Sequence, residues 1–208
     1  MDQTAKQQPG NFTDQLRVRF KYILDPVAAF LNRLGIPPNT MTILGLVGNV
    51  IGGIFLSQGF FTIGGLIVLA SGPFDALDGA MARLLGRSSE FGGFIDSVTD
   101  RYSEMAILGG LLYYYLQEDN WWACLLVYLA ACGSVMVSYV RAKANSVGFE
   151  AKGGMLTRLE RYLVLIPTLT FNLPLVGVSI IALFANMTAF QRILYVRKQA
   201  HSLMRKSD

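Results

Sequence analysis

The chain has 208 residues, 52% of them hydrophobic and 15% charged, with a formal net charge of +4. So much apolar sequence with so few charges excludes an ordinary soluble domain, and the length leaves no room for a second, soluble one beside a membrane domain. The basic excess suits loops beside anionic headgroups, and no interleaving of aromatic and basic residues points to nucleic acid.

The N-terminal MDQTAKQQPG is polar, and the first apolar run starts too late for a cleavable signal peptide. Over 12–33, Phe12, Leu16, Phe20, Ile23, Leu24, Val27, Phe30 and Leu31 recur at near-helical spacing, with Arg17, Arg19 and Lys21 between them. This predicts an amphipathic helix on the inner membrane surface, broken or kinked near Pro26. Pro37-Pro38-Asn39-Thr40 then turns the chain into apolar runs at 41–57, 60–74, 105–116, 121–137, 162–173 and 174–190. Several approach the ~20 residues a spanning helix needs. The second and third reach that length only if the polar segments beside them are ends of the same helices.

The expected fold is therefore an all-α integral membrane protein with six transmembrane helices and an N-terminal amphipathic interfacial helix. Its segments are a polar, amphipathic 1–35, a membrane domain over 36–198 and a polar basic tail over 199–208. The connections at 57–60, 117–121 and 172–174 hold no Lys or Arg, whereas the other side carries all 18. The positive-inside rule then puts both termini in the cytoplasm. Gly45, Gly48, Gly52 and Gly53, with Gly109 and Gly110, are spaced for close helix packing. Cys124 and Cys132 read as small core residues, and His201 as a solvent-exposed residue of the tail.

The chemistry concentrates in two polar stretches. Asp75, Asp78, Gly79, Ala82 and Arg83 share one helical face, as do Gly92, Asp96 and Asp100. If the helices pack antiparallel through the turn near Gly86–Ser89, four carboxylates converge. Oxygen ligands without thiolate or imidazole indicate Mg²⁺ or Mn²⁺ rather than zinc. A carboxylate at a helix centre costs about 2.5–3.5 kcal/mol on insertion scales, so four of them require compensation. A pair of metal ions near one membrane face supplies it. Gly79 and Gly92 share the carboxylate faces and suit the close approach of a substrate.

A second constellation is basic: Arg141, Lys143, Lys152, Arg158, Arg161, Arg192 and Arg197. Lys143, Lys152 and Arg197 read as positive-inside anchors. Arg141, Arg158 and Arg192 read as a clamp for an acceptor that carries its own phosphate.

The run Asp75-x-x-Asp78-Gly79-x-x-Ala82-Arg83, followed by Gly92-x-x-x-Asp96-x-x-x-Asp100, resembles the defining pattern of the CDP-alcohol phosphotransferases without gap or substitution. The likeness extends over roughly 12–198. It implies transfer of a phosphatidyl-type group from a CDP-linked lipid to an alcohol, with release of CMP. By that likeness Asp75, Asp78, Asp96 and Asp100 bind two ions, Mg²⁺ or Mn²⁺, and Asp100 is the general base. Pro38, Asn39, Thr40, Met41, Gly79, Arg83 and Ser89 would contact the CDP-lipid. The resemblance also implies a homodimer in the cell membrane, with its active site facing the cytoplasm.

Ser138-Tyr-Val-Arg141-Ala-Lys143-Ala and Arg158-Leu-Glu160-Arg161 resemble segments of the phosphatidylinositol phosphate synthases and their archaeal ether-lipid counterparts. This implies CDP-diacylglycerol as donor and inositol 1-phosphate as acceptor, with Ser138, Arg141, Arg158 and Arg192 around the acceptor phosphate. Thr157 departs from the Glu found there in those segments. Ser97 and Arg101 depart from the Asp-Pro-x-x-Asp-Lys of relatives that use glycerophosphate. Glycerol 3-phosphate remains the alternative acceptor. A cation transporter and a catalytically dead lipid-binding scaffold are the alternatives of other classes.

Overall fold

The computed structural model describes residues 24–86, 90–151 and 153–207, with side chains through 202. The expected interfacial helix lies within these limits only from residue 24, where helix α1 (24–33) is seen. After it come α2 (Pro38–Ser57), α3 (Phe61–Leu84), α4 (Glu90–Gln117), α5 (Trp121–Ser146), α6 (Arg158–Thr170) and α7 (Pro174–Ser207). No strand occurs among the described residues.

Local chemistry sets several boundaries. Pro38 and Pro174 open α2 and α7, where the missing N–H costs nothing because the first turn has no carbonyl to give it. Asn120 caps α5 by accepting the N–H of Ala123 at 3.1 Å. Thr157 takes the N-cap position of α6, and its hydroxyl bonds the Glu160 carboxylate. The Thr-x-x-Glu spacing is that of a capping box, although the Thr157 side chain accepts no backbone N–H of the first turn.

Among the described residues, four helices are long and apolar enough to cross a membrane: Pro38–Ser57, Phe61–Leu84, Trp121–Ser146 and Pro174–Ser202. The other two long apolar runs fall short for different reasons. Helix α4 has 28 residues but carries Asp96, Asp100, Arg101 and Glu104. Helix α6 has 13 residues, about 20 Å at 1.5 Å per residue, against a hydrocarbon core of about 30 Å.

The chain forms two compact units, and α2, α3 and α4 each contribute to both. The first comprises residues 1–45 and 72–99. Its core is Ala28, Met41, Leu77, Ala80 and Met81, with Leu24, Leu31, Ile36 and Phe74 around them. Asn32 Nδ2 donates to the Met81 carbonyl at 3.2 Å and ties α1 to α3.

The second unit comprises 46–71 and 100–208. Helix α7 packs on α5 and α6. Its core runs through Leu56, Val68, Ile107, Leu111, Val127, Leu165, Leu169, Val178 and Ile181. Small residues set the helix spacing here. A Cβ on Gly53 would stand 2.5 Å from the Ala106 carbonyl oxygen, and one on Gly110 would overlap the Gly53 carbonyl. Gly109 differs from its expected role: it is exposed, and a Cβ there would meet nothing within 4 Å. Cys124 is buried and Cys132 half-buried, both as free thiols.

Candidate active site

In the first unit, α3 carries Asp75 and Asp78 at i and i+3. Asp78 is buried, Asp75 half-buried. Asp78 feels the charges of both Asp96 and Asp75 within this unit. Thr42 Oγ1 donates to Asp78 Oδ2 at 2.5 Å. The expected nucleotide-contact segment opens α2 directly before it: Pro38 and Thr40 half-buried, Asn39 exposed, Met41 buried. Thr42 was not singled out from sequence. Its position one turn after Asn39 and Pro38 was the available signal.

Gly79 follows Asp78 and is half-buried. A Cβ there would stand 3.2 Å from Arg83 Nη1, so the bare backbone leaves room for the guanidinium to fold back along α3. Arg83 itself is exposed. Gly92 and Asp96 are half-buried on α4. Ser89 lies outside the described residues.

Asp100 belongs to the second unit and is buried. Its Oδ1 stands 2.6 Å from Arg158 Nη2, and its Oδ2 lies 3.7 Å from Arg101 Nη1. Arg158 is the first residue of α6, and its guanidinium lies 5.5 Å from the ring centre of Tyr162. One turn further along both helices a second pair forms. Arg161 gives Nε to Glu104 Oε1 at 2.6 Å and Nη2 to Glu104 Oε2 at 2.9 Å. This fork-on-fork pair is buried, with Arg161 only 2% exposed. Neither Glu104 nor the pairing was anticipated. The signal was an acid four residues past Asp100 in an apolar run, where a charge needs a partner.

The remaining acceptor candidates divide. Ser138 is half-buried and Arg141 exposed, one turn apart on α5. Arg192, the fourth acceptor candidate, is buried: Nε donates to the Gly153 carbonyl at 2.9 Å and Nη1 to the Val137 carbonyl at 2.7 Å. It also feels the charges of Arg141 and Arg161. Glu160 acts on it in the opposite sense, and Arg161 is already neutralised by Glu104.

Among the described residues, no three His, Cys, Asp or Glu side chains are drawn tightly enough together to hold a metal ion. Like-charged carboxylates stay apart unless a cation intervenes. The donor chemistry nonetheless fits a hard divalent ion. The motif offers only carboxylate oxygens, while both cysteines lie in α5 and the single histidine in the far end of α7.

Comparison with known proteins agrees with this chemistry. The family model described as CDP-alcohol phosphatidyltransferase matches residues 36–197. The chain is similar to the archaetidylinositol phosphate synthase of Pyrococcus horikoshii, at 36% identity over 188 residues, covering 89% of this chain and 96% of that one. It is also similar to the phosphatidylinositol phosphate synthase of Streptomyces avermitilis, at 33% identity over 201 residues, covering 88% and 82%. Among solved structures, the Mycobacterium tuberculosis phosphatidylinositol phosphate synthase with CDP-DAG bound superposes with a TM-score of 0.79 at 29% identity, covering 84% of this chain and 94% of that one. A crystal of the same relative with manganese and citrate gives the same TM-score and identity, covering 83% and 88%. With its motif intact and most of its length matched, the chain belongs to the CDP-alcohol phosphatidyltransferase family and is an enzyme of that class.

Proposed function

We propose that the protein transfers the phosphatidyl group of CDP-diacylglycerol to inositol 1-phosphate, releasing CMP and forming phosphatidylinositol phosphate. The observation that carries this reading is the 2.6 Å contact between Arg158 and Asp100. A cation suited to a phosphate stands directly beside the carboxylate expected to take the acceptor's proton. An alcohol held by its own phosphate at Arg158, Arg141 and Ser138 would bring a hydroxyl to Asp100. Arg192, whose Nε and Nη1 hold backbone carbonyls, would complete the acceptor-phosphate site. The CDP-DAG bound to one relative supports the donor, and the name phosphatidylinositol phosphate synthase supports the product.

In the proposed reaction Asp100 accepts the proton of the acceptor hydroxyl. The freed oxygen attacks the lipid-linked phosphorus of the pyrophosphate, an oxygen–phosphorus bond forms, and the bond to the CMP oxygen breaks. Asp75, Asp78, Asp96 and Asp100 would hold two ions, Mg²⁺ or Mn²⁺, whose charge offsets that of the pyrophosphate and the departing CMP. Thr42 fixes one oxygen of Asp78. Gly79, Arg83, Ser89 and the Pro38–Met41 segment would contact the nucleotide end, with Arg83 offering paired donors to a phosphate.

The same reading has α2 to α7 crossing the cell membrane, as a domain over 36–198 between the interfacial segment 1–35 and the tail 199–208. Both termini and the site would face the cytoplasm, and the enzyme would act as a homodimer. Its orientation rests on the loops 58–60, 118–120 and 171–173, which carry no Lys or Arg.

The test is CMP release from CDP-diacylglycerol with Mg²⁺, using inositol 1-phosphate, glycerol 3-phosphate, free inositol and serine in separate reactions. Release with inositol 1-phosphate alone is expected. Release only with glycerol 3-phosphate would keep the mechanism and make the product phosphatidylglycerol phosphate.

A further inference from the structure

Hydroxyl side chains inside the membrane helices here mostly serve their own helix. Thr168 and Thr170 donate to the carbonyls of Val164 and Ile166, and Ser71 and Ser179 to those of Ile67 and Leu175, each four residues back. Thr188 of α7 does something else. It is 0% exposed, and its Oγ1 accepts two consecutive backbone N–H groups from another segment, those of Met155 and Leu156, at 3.1 Å each.

That segment is the last stretch of the 147–157 connection, immediately before α6. Two carbonyls of the stretch are held as well. Arg192, one turn beyond Thr188, donates Nε to the Gly153 carbonyl at 2.9 Å, and Arg161 donates Nη1 to the Leu156 carbonyl at 3.3 Å. Gly154 has φ +114°, and a Cβ there would overlap Thr188 Cγ2. The backbone is therefore pressed onto Thr188 in a conformation that other residues rarely adopt. Thr157 occupies the N-cap position of α6 directly after this clamped stretch, and Arg158 is the first helical residue. Where the connection ends decides where the Arg158 guanidinium stands.

We propose that Thr188 is a positioning residue for the acceptor: by clamping Met155 and Leu156 it sets the start of α6, and so the place of Arg158 beside Asp100. This rests on the reading of Arg158 as an acceptor-phosphate residue. It adds a specificity determinant on a helix that carries no motif carboxylate.

The test uses the full-length enzyme in detergent, with Thr188→Val, which keeps the shape and removes the acceptor oxygen, and Thr188→Ser, which restores it. Hydrogen exchange at the Met155 and Leu156 amides, followed by mass spectrometry, reads the clamp without any substrate. Exchange should quicken about tenfold or more in the valine variant and return to the wild-type rate in the serine variant. The KM for inositol 1-phosphate should rise about tenfold in the valine variant, with the KM for CDP-diacylglycerol within about twofold, and serine should rescue it.

Unchanged exchange in Thr188→Val would overturn the clamp. Faster exchange with an unchanged acceptor KM would overturn the positioning role, as would an equal rise in both KM values. If the wild-type enzyme takes a different phosphorylated alcohol, the assigned acceptor fails, and positioning is judged on that alcohol's KM while the exchange result stands. Should the valine variant not fold, Thr188→Ala carries the same readouts.

Discussion

Arg158 Nη2 and Asp100 Oδ1 stand 2.6 Å apart, joining the first residue of α6 to the last carboxylate of the motif on α4. The pair is partly open to solvent and exchangeable, so an incoming phosphate can take over the guanidinium. Arg158→Ala should therefore raise the KM for inositol 1-phosphate at least about tenfold and leave that for CDP-diacylglycerol within about twofold. Steady-state kinetics with each substrate varied in turn would check this. An equal effect on both would remove Arg158 from the acceptor side.

Asp100 carries the proton transfer in this account. Asp100→Asn keeps size and polarity but cannot take a proton, so kcat should fall by at least about 100-fold. Binding of CDP-diacylglycerol, measured by equilibrium methods on the purified variant, should persist. A near-normal rate would assign the base elsewhere.

The buried Glu104–Arg161 pair invites a stability test that separates packing from charge. Removing one partner, as in Glu104→Leu, leaves an uncompensated buried guanidinium and should cost about 3–5 kcal/mol. Replacing both, Glu104→Leu with Arg161→Met, should recover most of that loss. Thermal unfolding of the three proteins in one detergent would show it, and a double variant no better than the single would contradict it.

The paired glycines give a sharper contrast. Gly53→Ala drives a methyl onto the Ala106 carbonyl oxygen and should destabilise by about 1–3 kcal/mol. Gly109→Ala, with open space around it, should be neutral or slightly stabilising. Measured melting temperatures should order the two accordingly.

Much of this was legible beforehand because two signals are strong. Apolar runs gave the helices, and a face of Asp, Gly and Arg at helical spacing gave the motif. The helices outrun their apolar stretches where polar residues continue them. Helix α5 runs on past residue 137 to Ser146, and α7 past 190 to Ser207, since helical hydrogen bonding does not require apolar side chains. Helix α6 instead stops at Thr170, and Asn172 at φ 61° turns the chain. Thr42, Glu104 and Thr188 escaped notice for one reason. Each acts through a partner far away in sequence, and a lone threonine or glutamate reveals no partner until the helices are packed. The resemblance places Arg192 at the acceptor phosphate, and the packed helices add bonds to two backbone carbonyls that its sequence position does not reveal.

Removal of divalent metal should abolish turnover, given an all-carboxylate donor set. Dialysis against EDTA followed by Mg²⁺ or Mn²⁺ should restore it. Activity that survives thorough chelation would contradict the assigned role of Asp75, Asp78, Asp96 and Asp100.

The most direct single test is a competition in one vessel. The purified enzyme receives CDP-diacylglycerol, Mg²⁺ and equal concentrations of inositol 1-phosphate and glycerol 3-phosphate, and the lipid products are weighed against each other by mass spectrometry. The account predicts phosphatidylinositol phosphate in large excess, with CMP formed in equal amount. Phosphatidylglycerol phosphate as the main product would contradict it.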